Sequence, residues 1–390
     1  MKTLFLLFSV ICLLTPDPSS AQGSWLQRAN TPPSGRTEST QFSIGSKGYI
    51  TLGTGSGLLT DLWEYDPIFD AWTQRAVFPA IGRNSPTSFS IGNKGYISTG
   101  DSYNDLWAYD QLANTWTQKQ NFGGSGREGA VGFSIGAKGY VGTGGSYQND
   151  LWEYDTLLNT WTQKTNLPSN ARYHAVGFSI GNYGYICTGF GGTFYNDHWQ
   201  FDPVLNTWTA RANFPGTARD RSEVFVIGTV AYVGGGWTGA SAVTDFFAWD
   251  QSTNTWSPVA NFPAAGRYNG IGMTINGKGY VGSGNNIPDF WEFTPPSIGM
   301  QEIEDVFTVY PNPATDFLHI NILHPFPQGT SIILYSMSGE MIREFPQTSS
   351  FQCTGSREVA VYVGDLPAGI YFASFNLGSK AYLKKVFITK

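Results

Sequence analysis

The sequence predicts an all-β ring of six four-stranded blades followed by a small β-sandwich, and three observations carry that prediction. The segment DLWEYDTLLNTWTQK at Asp150 recurs at Asp61, Asp105, Asp197 and Asp245, with a truncated copy at Asp289 and a period of 44 to 48 residues. A period of that length over most of a chain marks a repeat architecture. The composition agrees, because 15% aromatic residues, 47 glycines and only 13% charged residues describe many short strands joined by glycine turns. Finally, the ends of the array are complementary halves. The Asp289 copy lacks its second half, with Met300 where the Trp belongs, and GSWLQRANTPPSGR near the N-terminus is a second half standing alone. A strand around Trp25 therefore completes the blade begun at Trp291, which removes the unpaired edges of an open seam.

Each repeat reads as two hairpins. TQFSIG alternates with Phe42 and Ile44 on one face, Ser46-Lys47 turns the chain, and GYITLG returns; period-two alternation around a glycine-bearing turn is a hairpin. The later copies place Phe89, Phe133, Phe178, Phe225 and Met273 on the same beat. The third and fourth strands carry the tryptophans, whose expected role is packing between blades, each buried ring removing roughly 150–250 Å² from water. Asp66, Asp110, Asp155, Asp202 and Asp250 precede turns and are expected to cap them. Asp61 to Asp289, which start the third strands, are expected to satisfy loop amides.

Residues 1–21 read as a secretory signal peptide, with Lys2, an apolar run from Leu4 to Leu14, and small residues Ser19 and Ala21 before Gln22. The run is too short for a membrane span. Cys187 and Cys353 then remain, expected as buried or semi-buried thiols. A net charge of −6 without a basic cluster argues against nucleic acid.

The order of Arg, alternating strand, Gly-Tyr, Asp-x-Trp-x-Tyr-Asp and Asn-Thr-Trp resembles the Kelch repeat of six- or seven-bladed propellers, a family that includes galactose oxidase-like domains. The resemblance covers about Ser24 to Pro296, and implies a propeller domain at 22–296. The copper ligands and Tyr-Cys cross-link of galactose oxidase have no matching positions, so no cofactor and no metal are expected. His174, Cys187 and His198 fall in one repeat without ligand spacing, and Asp101, Asn104 and Asp105 suit turns as well as calcium.

After a Pro/Gly linker at 297–305 the pattern changes. Residues 306–390 hold seven short alternating segments and no Trp, which fits a small β-sandwich. VYPNPATDFLHI, LYSMSGEMI, LPAGIY and the Lys-rich last strand resemble the C-terminal sorting domain of the type IX secretion system. That resemblance implies type IX machinery as a partner, and a protein secreted or held at the outer-membrane surface of a Gram-negative bacterium. The expected state is a monomer without a transmembrane span.

Function then lies in the propeller. The spacing from the Gly-Tyr tyrosine to the next Asp is 12, 9, 10, 12, 13 and 9 residues, whereas Asp to Trp and Trp to Arg are constant at 11. Length variation therefore sits between strands two and three, on the face that also carries the links between blades. That mouth is expected to present Arg36, Arg83, Arg127, Arg172, Arg219 and Arg267. Tyr103, Tyr147, Tyr195 and Trp237, the one tryptophan off the beat, are expected beside them. Aromatic faces and arginines suit sugar rings and carboxylates, although an arginine in every repeat also suits a repeated contact with backbone carbonyls. Glu38, Glu128, Asp220, Glu223, Tyr173 and His174 lie near the same mouth. The leading expectation is a binding module for a glycan or protein. The alternative is a sugar-acid isomerase resembling Kelch-type sialic acid mutarotases, and a scaffold for another surface protein is a third reading.

Overall fold

The structure is a computed structural model describing residues 22–32, 35–296, 307–322, 332–336, 341–345, 358–377 and 380–390. The expected signal peptide, the expected linker and Cys353 lie outside the described residues. The chain divides into two compact units, one ending at Pro296 and one beginning at Ser297.

The first unit is the propeller. In blade one, Thr40–Ile44, Lys47–Thr51, Leu62–Asp66 and Ala71–Arg75 pair antiparallel in sequence order, and the next four blades repeat this. The sixth sheet takes Ile271–Ile275, Lys278–Gly282 and Phe290–Thr294 from the last repeat, and its outermost strand is Ser24–Arg28. That strand pairs from Ser24 opposite Thr294 to Arg28 opposite Phe290, so the N-terminal half-repeat closes the ring.

Blades pack through the Gly-Tyr signature. Within a blade the first-strand Phe stacks on the Tyr, as in Phe89 on Tyr96 with centroids 5.0 Å apart. The same Phe also presses on the glycine of the following blade. A Cβ at Gly95, Gly139, Gly184 or Gly279 would stand 2.2 Å from Phe42, Phe89, Phe133 or Phe225. The glycine is thus required by a close approach rather than by a turn.

The Asn-Thr-Trp motif supplies a second tie between blades. The fourth-strand indoles of Trp72, Trp116, Trp161, Trp208 and Trp256 donate to carbonyls of Ala29, Ala76, Gln120, Thr165 and Ala212, at 2.8–3.1 Å. Each of those residues sits just past the fourth strand of the preceding blade, and its N–H is taken by a turn side chain: Asp70, Asn114, Asn159, Asn206 or Asn254. These five acceptors all have positive φ, 49–56°, where Asn and Asp are favoured. At the seam Trp25 donates to the Ala260 carbonyl, and the Ala260 N–H reaches the main-chain carbonyl of Gln22. A backbone oxygen therefore replaces the missing Asn.

The second unit is a two-layered sandwich. Phe307–Tyr310, Phe317–Ile322 and Glu358–Tyr362 form one sheet; Met341–Phe345, Ile332–Ser336, Gly369–Leu377 and Lys380–Ile388 form the other. Leu318, Ile320, Leu334, Val361 and Val386 meet in its core.

The seam is testable by substitution. Trp25 packs against Phe246, Phe262 and Phe293 at 4.9–5.3 Å, whereas its neighbour Leu26 is 54% exposed. Trp25→Ala is expected to cost about 3 kcal/mol in urea unfolding, and Leu26→Ala about 0.5 kcal/mol or less.

Candidate functional site

The six arginines do not face a ligand. Each is at most 3% exposed, and its two terminal nitrogens grip both carboxylate oxygens of the aspartate that starts the third strand of its own blade. Arg172 holds Asp197 at 2.5 and 2.8 Å. Arg36 with Asp61, Arg127 with Asp150, Arg219 with Asp245 and Arg267 with Asp289 repeat this at 2.5–3.1 Å, and Arg83 does so with Asp105. One nitrogen also donates to the carbonyl of Leu52, Thr99, Thr143, Thr188, Gly235 or Ser283. Trp63, Trp107, Trp152, Trp199 and Trp291 add an indole N–H to the same aspartates, at 2.6–3.0 Å. Blade five has Phe247 in that place.

Two expectations are corrected by this arrangement. The arginines are internal struts whose two terminal nitrogens are both engaged, so they offer no free fork to a ligand carboxylate, while the alternative expectation of a repeated contact with backbone carbonyls is met in all six blades. The strand-starting aspartates accept from guanidinium and indole rather than from loop amides, and Asp105 is committed to its strut rather than free for calcium. The turn aspartates cap as expected, for example Asp155 accepting from Leu157 and Leu158 N–H at 2.8 and 2.9 Å.

The four expected aromatics separate. Tyr103 and Tyr195 lie over Arg83 and Arg172, ring centroids 4.2 and 4.4 Å from the guanidinium carbons. Both are half-buried, and each has a strut guanidinium against its ring. Tyr147 is 46% exposed, and Trp237 is half-buried and stands 5.4 Å from Tyr268. Tyr147 joins Tyr173 at 5.5 Å, Tyr173 joins Phe190 at 5.8 Å, and Phe190 joins Phe194 at 4.8 Å. Gly239, at φ +89°, brings the blade-five loop against Phe194, where a Cβ would stand 2.7 Å from the ring. An aromatic crest therefore runs along the mouth from blade three to blade six.

Beside the crest lies a ring that the sequence showed only in part. The residue two after each arginine has positive φ: Glu38, Ser85, Gly129, His174, Arg221 and Asn269, at 46–59°. Main-chain bonds join them around the axis, Ser85 to Glu38, Gly129 to Ser85, His174 to Gly129, Arg221 to His174 and Glu38 to Asn269, at 2.8–3.2 Å. The sixth step, from blade five to blade six, is made differently, because Gly270 N–H donates to the Glu223 carboxylate at 3.2 Å. These residues line an opening of about 110 Å³. Beneath it an axial channel of about 390 Å³ is walled by the first strands, with Ser43, Ser90, Ser134, Ser179 and Thr274 among its polar groups. Glu38 and His174 were visible as off-beat residues; Ser85, Gly129, Arg221 and Asn269 were missed because their shared trait is a backbone angle.

Charge around the opening is unevenly solvated. Burial, then exposed Glu128, pushes the Glu38 carboxyl up, and Asn269 donates to it at 3.2 Å. Asp220 is fully buried and raised by that burial; one of its oxygens accepts from Arg221 at 2.5 Å and the other has no partner. Burial drives Glu223 up to about 8, against the pull of Arg267, and leaves Oε2 unpartnered. Burial and then Arg221 hold His174 down to about 3. Among the described residues no three His, Cys, Asp or Glu side chains converge as a metal site. Cys187 is a buried free thiol opposite His198 across a strand pair. His198 occupies the position of Leu62, Leu106 and Leu151, 4.5 Å from Trp249, and neither ring nitrogen has a partner.

Comparison with known proteins now settles the architecture. The Kelch-repeats domain model described as KLHDC2/KLHL20/DRC7 matches residues 95–221, and the Kelch motif model matches 218–263. The secretion system C-terminal sorting domain model matches 308–389. The chain is a Kelch-repeat propeller with a type IX sorting domain. The Kelch unit also resembles the solved structure titled "Structure of YjhT", with a TM-score of 0.59 and 17% identity over 68% of this chain and 95% of that one. That likeness speaks to fold alone. No curated protein sequence matches the chain. The sorting domain indicates export to the cell surface or extracellular space of a Gram-negative bacterium. Among the described residues no helix is long and apolar enough to cross a membrane.

The buried acid and the buried imidazole bend stability in opposite directions with pH. His198, held at about 3 by burial against an ordinary 6.5, binds its proton mainly when unfolded, so stability falls as pH drops from 6.5 toward 3. Glu223, about 8 against 4.5, keeps its proton in the folded state, so stability falls as pH rises from 4.5 through 8. His198→Leu is expected to lessen the acid limb of the urea midpoint against pH, which His174 shares, and Glu223→Gln the limb above pH 5, to which the raised Glu38 and Asp220 also contribute.

Proposed function

We propose that this exported Kelch propeller is a binding module that takes the end of a glycan at its mouth. The aromatic crest beside the polar opening supports this most directly. Tyr147 and Trp237 offer surface for the apolar face of a sugar ring, worth roughly 0.5–1.5 kcal/mol per aromatic contact beyond area. Glu38, Ser85, Arg221 and Asn269 stand near the axis as acceptors and donors for hydroxyl or carboxylate groups. An opening of about 110 Å³ has the scale of a terminal group rather than of a folded partner. The rim is apolar and its floor polar, the usual division of labour in a ligand site.

A sugar-acid isomerase is a second reading, favoured by one observation: the buried Asp220 carboxyl, raised by burial, has an unpartnered oxygen beside Arg221. An acid shifted toward neutrality next to a cation suits proton transfer on a bound carboxylate sugar.

A glycan array probed with residues 22–390 separates the readings from failure. Retention of defined glycans, reduced at least about tenfold by Tyr147→Ala with Trp237→Ala, is the expected result. No retention, or retention indifferent to both substitutions, contradicts the binding reading; anomer exchange of sialic acid in proton NMR, accelerated by the protein, would favour the isomerase.

A further inference from the structure

The turns between third and fourth strands carry apolar side chains that the fold does not need. In blade one Ile68 and Phe69 are 76% and 77% exposed, and in blade two Leu112 is 84% exposed. Blade three shows Leu157 and Leu158 at 90% and 67%, and blade four Val204 and Leu205 at 88% and 69%. Blade five supplies the internal control. Its turn has the same Asp cap, with Asp250 accepting from Ser252 and Thr253, and the same left-handed Asn254, yet the tip is Ser252-Thr253. Neither turn geometry nor packing calls for the apolar tips.

Their placement is also organised. Each pair sits at the end of the blade opposite the mouth, beside the turn that joins strands one and two, as the contacts of Lys47 with Asp66 and Lys138 with Asp155 show. The registers of blades one to four are alike, so the tips stand at one height along four consecutive blades. Blade six has no such turn; there the chain leaves after Thr294, paired with Ser24. Two-residue tips on separate blades form no groove for a peptide or helix. They match a flat surface that accepts independent insertions. The lysines of the same edge are engaged, Lys47 by Asp66, Lys94 by Asp110, Lys138 by Asp155 and Lys278 by Glu292, so attraction to an anionic partner is not the driving term.

We propose that the apolar turn tips of blades one to four seat the propeller on a lipid surface, with the mouth directed away from it. The sorting domain delivers the chain to the outer face of a membrane-bounded cell, so such a surface is in reach. Shallow apolar insertion at the headgroup boundary binds through buried area. Unlike pairing of exposed charges, it is not screened by salt. The role of the mouth is independent of this proposal.

The test is co-sedimentation of residues 22–390 with vesicles of phosphatidylcholine alone and with added phosphatidylglycerol, at low and high salt. The decisive variant joins Leu157→Ser, Leu158→Thr, Val204→Ser and Leu205→Thr, which writes the blade-five tip onto blades three and four. The wild type is expected to sediment with both vesicles at both salt concentrations, and the variant to lose at least about tenfold in partitioning with an unchanged melting temperature. Leu157→Ser alone keeps the comparison readable if the fourfold variant is less stable. The proposal is overturned by a wild type that stays in the supernatant, by a variant that sediments equally, or by binding that salt abolishes. A dimer in gel filtration that the variant dissolves would give the tips to a second copy instead.

Discussion

The mouth of this propeller depends on one repeated interaction, a buried arginine gripping an aspartate twenty-two to twenty-six residues further on. Removing two charges from water is expensive, and the attraction repays it only when the remaining hydrogen-bond capacity is also met. Here it largely is: strand-end carbonyls take further guanidinium donors, and in five blades an indole N–H reaches the carboxylate. The strut fastens the link between blades to the start of the third strand. It therefore fixes where the left-handed ring begins, two residues after each arginine.

A regular frame makes its exceptions informative, and they gather in blade five. Ala231 replaces the Gly of the Gly-Tyr signature, Phe247 replaces an indole donor, and Glu223 replaces the Thr, Val or Ile found at that place elsewhere. The same blade has the longest variable loop, Trp237, the buried Asp220 and the polar tip Ser252-Thr253. Its Asp245 side chain is the most exposed of the strut aspartates, at 33%. Departures from local rules tend to mark functional or strained positions. In this molecule the crest and the unevenly solvated carboxyls coincide with them, while the polar tip marks where the apolar arc on the far face ends.

Much of the frame was legible because it is periodic. The beat of Trp25 against the other fourth-strand tryptophans carries the ring closure, and alternation around Phe42 and its equivalents carries the hairpins. What spacing could not reveal was which side chains meet. The spacing from Arg36 to Asp61 and its equivalents varies from twenty-two to twenty-six residues because the variable loop lies between them, so no fixed beat paired the arginine with its aspartate. The mouth arginines looked available because a sequence displays charge without its partner. The ring of Glu38, Ser85, Gly129, His174, Arg221 and Asn269 escaped because those residue types share no chemistry, only a left-handed backbone. Trp237 stood out for the opposite reason, as a large aromatic outside the beat.

The repeated arginines are frame, and the residues two positions on are mouth. A double-mutant cycle on Arg127 and Asp150, Arg127→Ala, Asp150→Ala and both together, followed by urea unfolding, tests this most directly. A strut predicts that either single change is costly and that the pair is coupled by about 2 to 3 kcal/mol. Additive losses with coupling near zero would mean that the arginine stands apart from its aspartate, and would return it to the ligand-facing role that the sequence first suggests.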